Sequence, residues 1–171
     1  GVASPVRRPR DASGTPAAGL TIVDATSAAG CVAWDPLEAD AYYFSPQKGI
    51  GADGGLWIAA LSPAALERAE RMEAARFIPG SLSLWSAIRE SRKDQTLNTP
   101  AIATLLLAAE QIDWLNASGG LPWAAARCAE SSGLLYAWAE SRPWASPFVE
   151  DPTIRSKSVV TIDLDAKIDA A

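Results

Sequence analysis

The chain has 171 residues, of which 49% are hydrophobic and 20% are charged, as in ordinary globular domains that bury a sizeable core. Its formal net charge of -5 argues against a nucleic-acid partner, because binding phosphates requires an excess of lysine and arginine. No apolar run approaches the roughly 20 residues that span a bilayer, and without histidine Cys31 and Cys128 do not indicate a metal site. We therefore expect no membrane partner, no metal and, from separated cysteines without a leader pattern, a cytoplasmic location.

Three short apolar runs predict β-strands in the first third of the chain. They are residues 20–25, 41–45 and 56–61, in which branched and aromatic side chains are frequent. The first run is almost continuously apolar up to Asp24, which is typical of a strand buried on both faces of a parallel sheet. An isolated strand is predicted much later, at residues 158–164.

Helical patterns occupy most of the remaining sequence. Ser62 and Pro63 predict the N-cap and first position of a helix that runs to about residue 76, with a Glu67–Arg71 pair on its exposed face. Further helices are predicted at residues 81–92 and 122–140, and a last one opens at Asp165.

The clearest helix is predicted for residues 98–116. Asn98, Thr99 and Pro100 have the pattern of an N-cap and first turn, and a helix N-terminus with free N–H groups is also a ready phosphate site. Residues 101–109 are apolar apart from Thr104, so we expect this helix to be buried nearly all round or to lie at a subunit interface. Apolar strands followed by helices indicate an α/β protein.

The loop at residues 47–55, "QKGIGADGG", admits more than one interpretation. Its Gly-x-Gly-x-x-Gly spacing matches a dinucleotide-binding loop, but such a loop must open a helix, whereas "LWIAAL" follows here and suits a strand. The phosphate-binding Gly-Lys-[Ser/Thr] sequence is absent. The alternative is a loop that presents Lys48 for covalent chemistry, because a partly desolvated lysine at the end of a buried strand can become a neutral nucleophile.

Asp24 and Lys48 would suit one cofactor together. A carboxylate that ends a buried strand needs a cation, and the pyridinium nitrogen of pyridoxal phosphate is such a cation. The simpler alternatives are that Lys48 is a surface lysine in a turn and that Asp24 only caps a turn.

Four segments carry a resemblance to a known family: "VDATS", "DAYYFSPQKGIGADGGLWIAALSPAALER", "DQTLNTPAIATLLLAAEQIDWLNASGGL" and "PFVEDPTIRSKSVVTID". They resemble the phosphoserine aminotransferases, in particular the actinobacterial branch. The resemblance implies the fold type I architecture of pyridoxal-phosphate enzymes, with a mainly parallel sheet in a large domain and a small α/β C-terminal domain. Residues 1–119 would be the C-terminal part of the large domain, and residues 120–171 the connecting helix and the beginning of the small domain.

The resemblance also implies residue roles. Lys48 matches the lysine that is linked covalently to the cofactor, pyridoxal 5'-phosphate, and Gln47 matches the preceding glutamine that contacts it. Asp24 matches the partner of the pyridine nitrogen, while Asn98 and Thr99 match the pair that reaches the cofactor phosphate of the neighbouring subunit in a homodimer.

The implied reaction transfers an amino group from L-glutamate to a phosphorylated 2-oxo acid, 3-phosphohydroxypyruvate, and gives O-phospho-L-serine and 2-oxoglutarate. Gly49 departs from the family, since many members have a polar residue there. The histidines and arginines that bind substrate in the family have no counterpart in this chain, so we expect an internal piece of a longer enzyme that is inactive alone. A non-catalytic remnant and a different fold type I enzyme are the alternatives.

Overall fold

The computed structural model describes residues 8–14 and 19–168. Helices and strands in these ranges are, in chain order, β1 (Ile22–Asp24), β2 (Ala41–Phe44), β3 (Ile58–Leu61), α1 (Pro63–Ala75), α2 (Leu84–Ser91), α3 (Ile102–Ala117), α4 (Gly120–Glu140), β4 (Ala145–Pro147) and β5 (Ile162–Leu164). Short 3-10 turns lie at Pro36–Glu38, Gly80–Leu82 and Pro152–Ile154. No helix in the described ranges is both long and apolar enough to cross a membrane.

The first sheet has the strand order β1-β2-β3. β1 pairs with β2 in parallel, and Asp24 lies opposite Tyr43. β2 pairs with β3 in the antiparallel direction, because the connection between them contains no crossover helix that could return the chain to the starting edge. The prediction that β1 is buried on both faces is wrong: Ile22 is 63% exposed and Asp24 is also exposed, since β1 is an edge strand of this sheet with one open face.

The core beneath this sheet is small and contains a stack of aromatic rings. Ala25, Ala29, Ala39 and Tyr42 are buried together, and Trp34 lies flat on Tyr42 with the ring centroids 3.8 Å apart. Such aromatic pairs add about 0.5–1.5 kcal/mol beyond the burial of their surface. The stack therefore fixes β2 directly upstream of the lysine loop.

Asp40 is a buried carboxylate that joins three separate segments of the chain. It is 2% exposed, and its oxygens accept hydrogen bonds from the Arg8 guanidinium at 3.0 Å, the Thr21 backbone N–H at 2.9 Å and the Ser62 hydroxyl at 2.8 Å. Burial alone would raise its pKa, but these donors together with the Arg8 charge lower the pKa below the usual value. Asp40 thereby ties the entry to β1 and the start of α1 to β2.

The predicted starts of the first two helices are close to the observed ones. Ser62 caps α1 by accepting a hydrogen bond from the Ala65 N–H at 3.2 Å, which confirms the predicted N-cap. The Glu67–Arg71 pair is present at 3.6 Å and is exposed, so it contributes little to stability. α2 begins after Ser83, inside the predicted range of 81–92.

The start of α3 was predicted wrongly. The helix begins at Ile102, its N-cap is Ala101, and Asn98 and Thr99 lie in the loop before it. Pro100 accounts for Thr99 lying outside the helix, since a residue that precedes proline disfavours helical backbone angles. The Asn98 carbonyl instead accepts a hydrogen bond from the Thr96 hydroxyl at 2.6 Å.

The expectation that α3 is buried nearly all round is also wrong within this chain. Thr104 and Ala108 are its buried residues, whereas Ile102 and Leu106 are 59% and 63% exposed and Leu107 is half-exposed. The alternative, that this face meets another subunit, stays a prediction.

α4 carries the second sheet at its C-terminal end. It starts at Gly120, two residues before the predicted position, after a left-handed turn at Gly119 with φ 117°. The prediction that the strand within residues 158–164 is isolated is wrong, because β5 pairs antiparallel with β4. β4 escapes sequence analysis because it has three residues and ends in Pro147, which is unfavourable in strands. Asp165 accepts a hydrogen bond from the Lys167 N–H at 2.9 Å, and residues 166–168 form a turn. The rest of the helix predicted from Asp165 lies outside the described residues.

Candidate active site

Asp24 lies at the C-terminal end of β1, where the chain turns away from the sheet. Its carboxylate accepts a hydrogen bond from the Thr26 backbone N–H at 3.0 Å, so it does stabilise a turn, as the simpler alternative held. That backbone hydrogen bond, followed by the Thr26 and Tyr43 hydroxyls and the Lys48 charge, lowers the pKa of Asp24 below its usual value, against a smaller opposing effect of burial. The expectation that Asp24 is buried is wrong, because its side chain is exposed. The carboxylate is ionised and can still bind a cation.

Lys48 follows β2, and its side chain reaches across to the turn after β1. Its Nζ donates a hydrogen bond to the Ser27 hydroxyl at 3.2 Å, and its charge acts on Asp24. The structure thus brings the two residues selected from sequence to the same end of a parallel strand pair. The expected desolvation of Lys48 is not observed, because its side chain is exposed within this chain.

The loop that carries Lys48 rests directly on the turn after β1. Pro46 is fully buried, and the Lys48 carbonyl accepts a hydrogen bond from the Gly51 N–H at 2.9 Å. A Cβ atom built on Gly49 would lie 2.5 Å from the Ala29 carbonyl oxygen and closer still to the Cys31 sulfur. Glycine is therefore the residue that allows the two backbone segments to approach this closely.

The glycines after Lys48 serve the turn and the contact with α3, and no helix follows them. Gly51 and Gly55 have φ values of 79° and 89°, which side chains rarely adopt. The Gly54 carbonyl accepts a hydrogen bond from the buried Thr104 hydroxyl of α3 at 2.9 Å. Because β3 follows this loop, the geometry of a dinucleotide site is absent.

The other predicted cofactor residues do not join Asp24 and Lys48. Gln47 is exposed beside Lys48, while Asn98 and Thr99 line an open groove together with residues 94–97, Pro100 and Leu105. Within the described ranges, no hydrogen bond or ion pair connects Asn98 or Thr99 to Lys48. Among the described residues, no group of three or more His, Cys, Asp or Glu side chains could hold a metal ion.

Two features of the site are not predicted from the sequence: the hydrogen bond of Ser27 with Lys48, and the contact between Gly49 and Cys31. Ser27 could have been noticed because it lies three residues after Asp24, within one turn of chain. The Gly49 contact has no local signal, since it depends on the packing of two distant segments. Burial and, to a smaller extent, the neighbouring Cys128 thiol together raise the pKa of the Cys31 thiol to about 11, so Cys31 is a packing residue and not a nucleophile at neutral pH.

The chain is similar to known proteins over its whole length. No protein-family model matches it. The phosphoserine aminotransferase of Rhodococcus opacus is 56% identical over 172 residues, which are 100% of this chain and 45% of that protein. The chain thus spans about half the length of the curated relatives that it matches.

Solved structures share the fold. The phosphoserine aminotransferase of Cytophaga hutchinsonii matches 81% of this chain and 38% of its own, with a TM-score of 0.74 and 26% identity. An aspartate aminotransferase of Thermus thermophilus matches 88% of this chain and 40% of its own, with a TM-score of 0.73 and 25% identity. These matches confirm the predicted α/β fold as that of the fold type I pyridoxal-phosphate aminotransferases, and the chain is homologous, from end to end, to the phosphoserine aminotransferases it resembles.

Proposed function

We propose that this chain supplies the lysine-bearing part of a pyridoxal 5'-phosphate-dependent aminotransferase that acts on L-glutamate and 3-phosphohydroxypyruvate. The observation that carries the proposal is the meeting of Lys48 and Asp24 at one end of the β1–β2 pair, in a chain homologous throughout to phosphoserine aminotransferases. The products would be O-phospho-L-serine and 2-oxoglutarate.

The residues present fit this cofactor. Asp24 remains ionised and exposed, so its carboxylate can accept a hydrogen bond from a ring N–H and hold positive charge there. Lys48 supplies an exposed amine for covalent attachment. When bound, pyridoxal phosphate withdraws electrons from the α-carbon of an amino acid.

Lys48 has a second task in the proposed reaction. When the Lys48 amine is free, Nζ can act as general base by accepting a proton from the α-carbon of the substrate. It can then act as general acid by donating that proton to the C4′ atom of the cofactor. The close packing of the lysine loop on the turn after β1 fixes the backbone from which that amine extends. Gln47, adjacent to Lys48, would contact the cofactor from the same loop.

Asn98 and Thr99 are proposed to serve the neighbouring subunit of a homodimer. An amide and a hydroxyl are suitable donors to a phosphate, and Asn98 and Thr99 line a groove to which Lys48 does not contribute, as expected for a role in trans. The exposed apolar side chains Ile102, Leu106 and Leu107 follow them on α3 and would be covered by that second subunit.

The domain division and location are also proposals. Residues 1–119 would complete the large domain, and residues 120–171 would connect to and begin the small one. The separate β4–β5 sheet at the end of α4 is consistent with that boundary. A cytoplasmic location is consistent with an enzyme of amino-acid metabolism whose cysteines are free thiols.

A different fold type I reaction is the main alternative. The two solved structures named above are nearly equally similar to the chain, yet one is a phosphoserine and the other an aspartate aminotransferase. A non-catalytic remnant is the other alternative. The coding sequence on either side decides between them: substrate-binding arginines and histidines support the proposed reaction, and stop codons at both ends support a remnant.

The covalent link can be tested in a chimera in which this chain replaces the 172 matched residues of the Rhodococcus opacus enzyme. After incubation with pyridoxal phosphate and reduction with borohydride, peptide mass mapping should find the pyridoxyl group on Lys48. Lys48→Ala should abolish the label and the glutamate-dependent turnover, whereas Lys157→Ala, at another exposed lysine, should retain both. A label on Lys93 or Lys157 would exclude the proposal.

A further inference from the structure

We propose that Ser27 is a positioning residue that holds the amine of Lys48 whenever that amine is not linked to the cofactor. The inference rests on the proposed function, in which Lys48 is released by the substrate and then moves a proton. Its observation is the 3.2 Å hydrogen bond between Lys48 Nζ and the Ser27 hydroxyl.

The turn that carries Ser27 is fixed by hydrogen bonds on both sides of that residue. Before it, the Thr26 N–H is bound to the Asp24 carboxylate at 3.0 Å. After it, the N–H groups of Ala28 and Ala29 both donate to the Ala25 carbonyl at 2.8 Å. This single helical turn leaves the Ser27 side chain directed at the lysine loop instead of at its own backbone.

The lysine loop is held against the same turn. Gly49 adjoins Lys48 and packs on Ala29 and Cys31 so closely that a methyl group would not fit between them. At the start of β2, the backbone N–H groups of Asp40 and Ala41 donate hydrogen bonds to the Thr21 carbonyl, which precedes β1. Further along, the Tyr43 carbonyl accepts a hydrogen bond from the Ala25 N–H at 2.7 Å. The separation of the two backbone segments that carry Ser27 and Lys48 is therefore set by packing and hydrogen bonds.

A hydroxyl suits this task because it can both donate and accept. It accepts from the charged ammonium of Lys48 and donates to the lone pair of the neutral amine, so it can hold Nζ before and after proton transfer. The charged group that faces Lys48 is Asp24, whose pKa is also affected by Tyr43 on β2. Asp24 is already engaged by Thr26 and is needed for the ring nitrogen, which leaves Ser27 to hold the amine.

The test uses the chimera after hydroxylamine has removed its cofactor, so that the free amine is observed without turnover. Trace acetylation with acetic anhydride at pH 11, read by peptide mass spectrometry, gives the reactivity of the Lys48 amine relative to that of Lys157 in the same sample. Ser27→Ala should make Lys48 react about two- to tenfold faster, because the hydroxyl no longer occupies the lone pair of the neutral amine and one hydrogen bond is worth about that factor. Ser27→Thr keeps the hydroxyl and should match the unmodified chimera, as should Ser131→Ala on the exposed face of α4.

Two outcomes would overturn the inference: an unchanged reactivity of Lys48 relative to Lys157 in Ser27→Ala, or a Ser27→Thr variant that behaves like the alanine variant. In the reloaded chimera, Ser27→Ala should lower kcat and leave the KM for glutamate unchanged, with recovery in Ser27→Thr. Borohydride labelling separates the two proposals. If Lys48 is labelled and Ser27→Ala has no effect, the inference alone fails; if Lys48 is not labelled, the proposed function fails.

Discussion

Gly49→Ala should disturb the lysine loop more than any other glycine-to-alanine change in residues 49–55. The added Cβ would lie 2.5 Å from the Ala29 carbonyl oxygen, whereas ordinary contact begins at 3.4 Å, so the backbone must retreat by about 0.9 Å. The Cys31 sulfur is nearer still, but a side chain can rotate and a carbonyl cannot. Overpacking against a fixed backbone costs about 2 kcal/mol, within the usual range of 1–3 kcal/mol.

The assay is thermal unfolding of the chimera with and without cofactor. The chimera has about 380 residues, since the 172 matched residues are 45% of the enzyme, and for this size a loss of about 2 kcal/mol corresponds to a fall of about 2–3 °C in Tm. Displacing Lys48 by nearly 1 Å should also lower turnover by about 100-fold. Gly54→Ala is the matched control, because no atom lies within 4 Å of a Cβ there and its φ is not positive.

A double substitution separates the two contacts at Gly49. Cys31→Ala removes the sulfur and leaves the Ala29 carbonyl, so Gly49→Ala should cost about 0.5–1 kcal/mol less in the Cys31→Ala background. The reasoning is refuted if Gly49→Ala unfolds at the same temperature as Gly54→Ala, since the two backbone segments then have room that the structure does not show.

Three further results are expected from the same chimera and from the chain itself. Asp24→Asn should keep the borohydride label on Lys48 but lower turnover by several orders of magnitude, because a neutral pyridine is a poor electron sink; near-normal turnover would make Asp24 a structural carboxylate only. Asp40→Asn should destabilise the fold by about 3 kcal/mol, because the Arg8 charge loses its partner. Since the folded-state pKa of Asp40 is lowered, its contribution is complete above about pH 4 and is lost as the pH falls through that pKa, so Tm should decline less below pH 4 in Asp40→Asn than in the unmodified chimera. The 171-residue chain expressed alone should be inactive and bind a hydrophobic dye, because α3 exposes apolar side chains; glutamate-dependent 2-oxoglutarate from a soluble sample would contradict this expectation.

Local signals in the sequence were sufficient for part of the fold. The Ser62-Pro63 pair fixes the start of α1, because a capping hydroxyl and a proline act within one turn of chain. The run at 41–45 likewise yields β2, whose branched and aromatic residues suit a strand. By contrast, the start of α3 at Ile102 and the pairing of β4 with β5 depend on a proline effect and on a partner strand that no short window contains.

The candidate site divides in the same way. Asp24 and Lys48 could be selected because each ends a predicted strand, and the carboxyl ends of parallel strands meet at one edge. Their exposure could not be predicted from a single apolar run, since burial depends on which elements cover the strand. Ser27 and Gly49 act through the packing of one loop on another, which becomes visible when both segments are in place.

The hydrogen bonds of Asp40 bear on the rate of unfolding as well as on stability. They link residues that are 32, 22 and 19 positions apart in sequence, so they cannot form until the segment before β1, β2 and the start of α1 have come together. Interactions that form late in folding are absent from the transition state, and their strength therefore appears mainly as slower unfolding. The hydrogen bonds of Asp40 should therefore slow the unfolding of the sheet that carries Lys48. Loss of the Asp40 carboxylate should raise the unfolding rate and leave the folding rate unchanged.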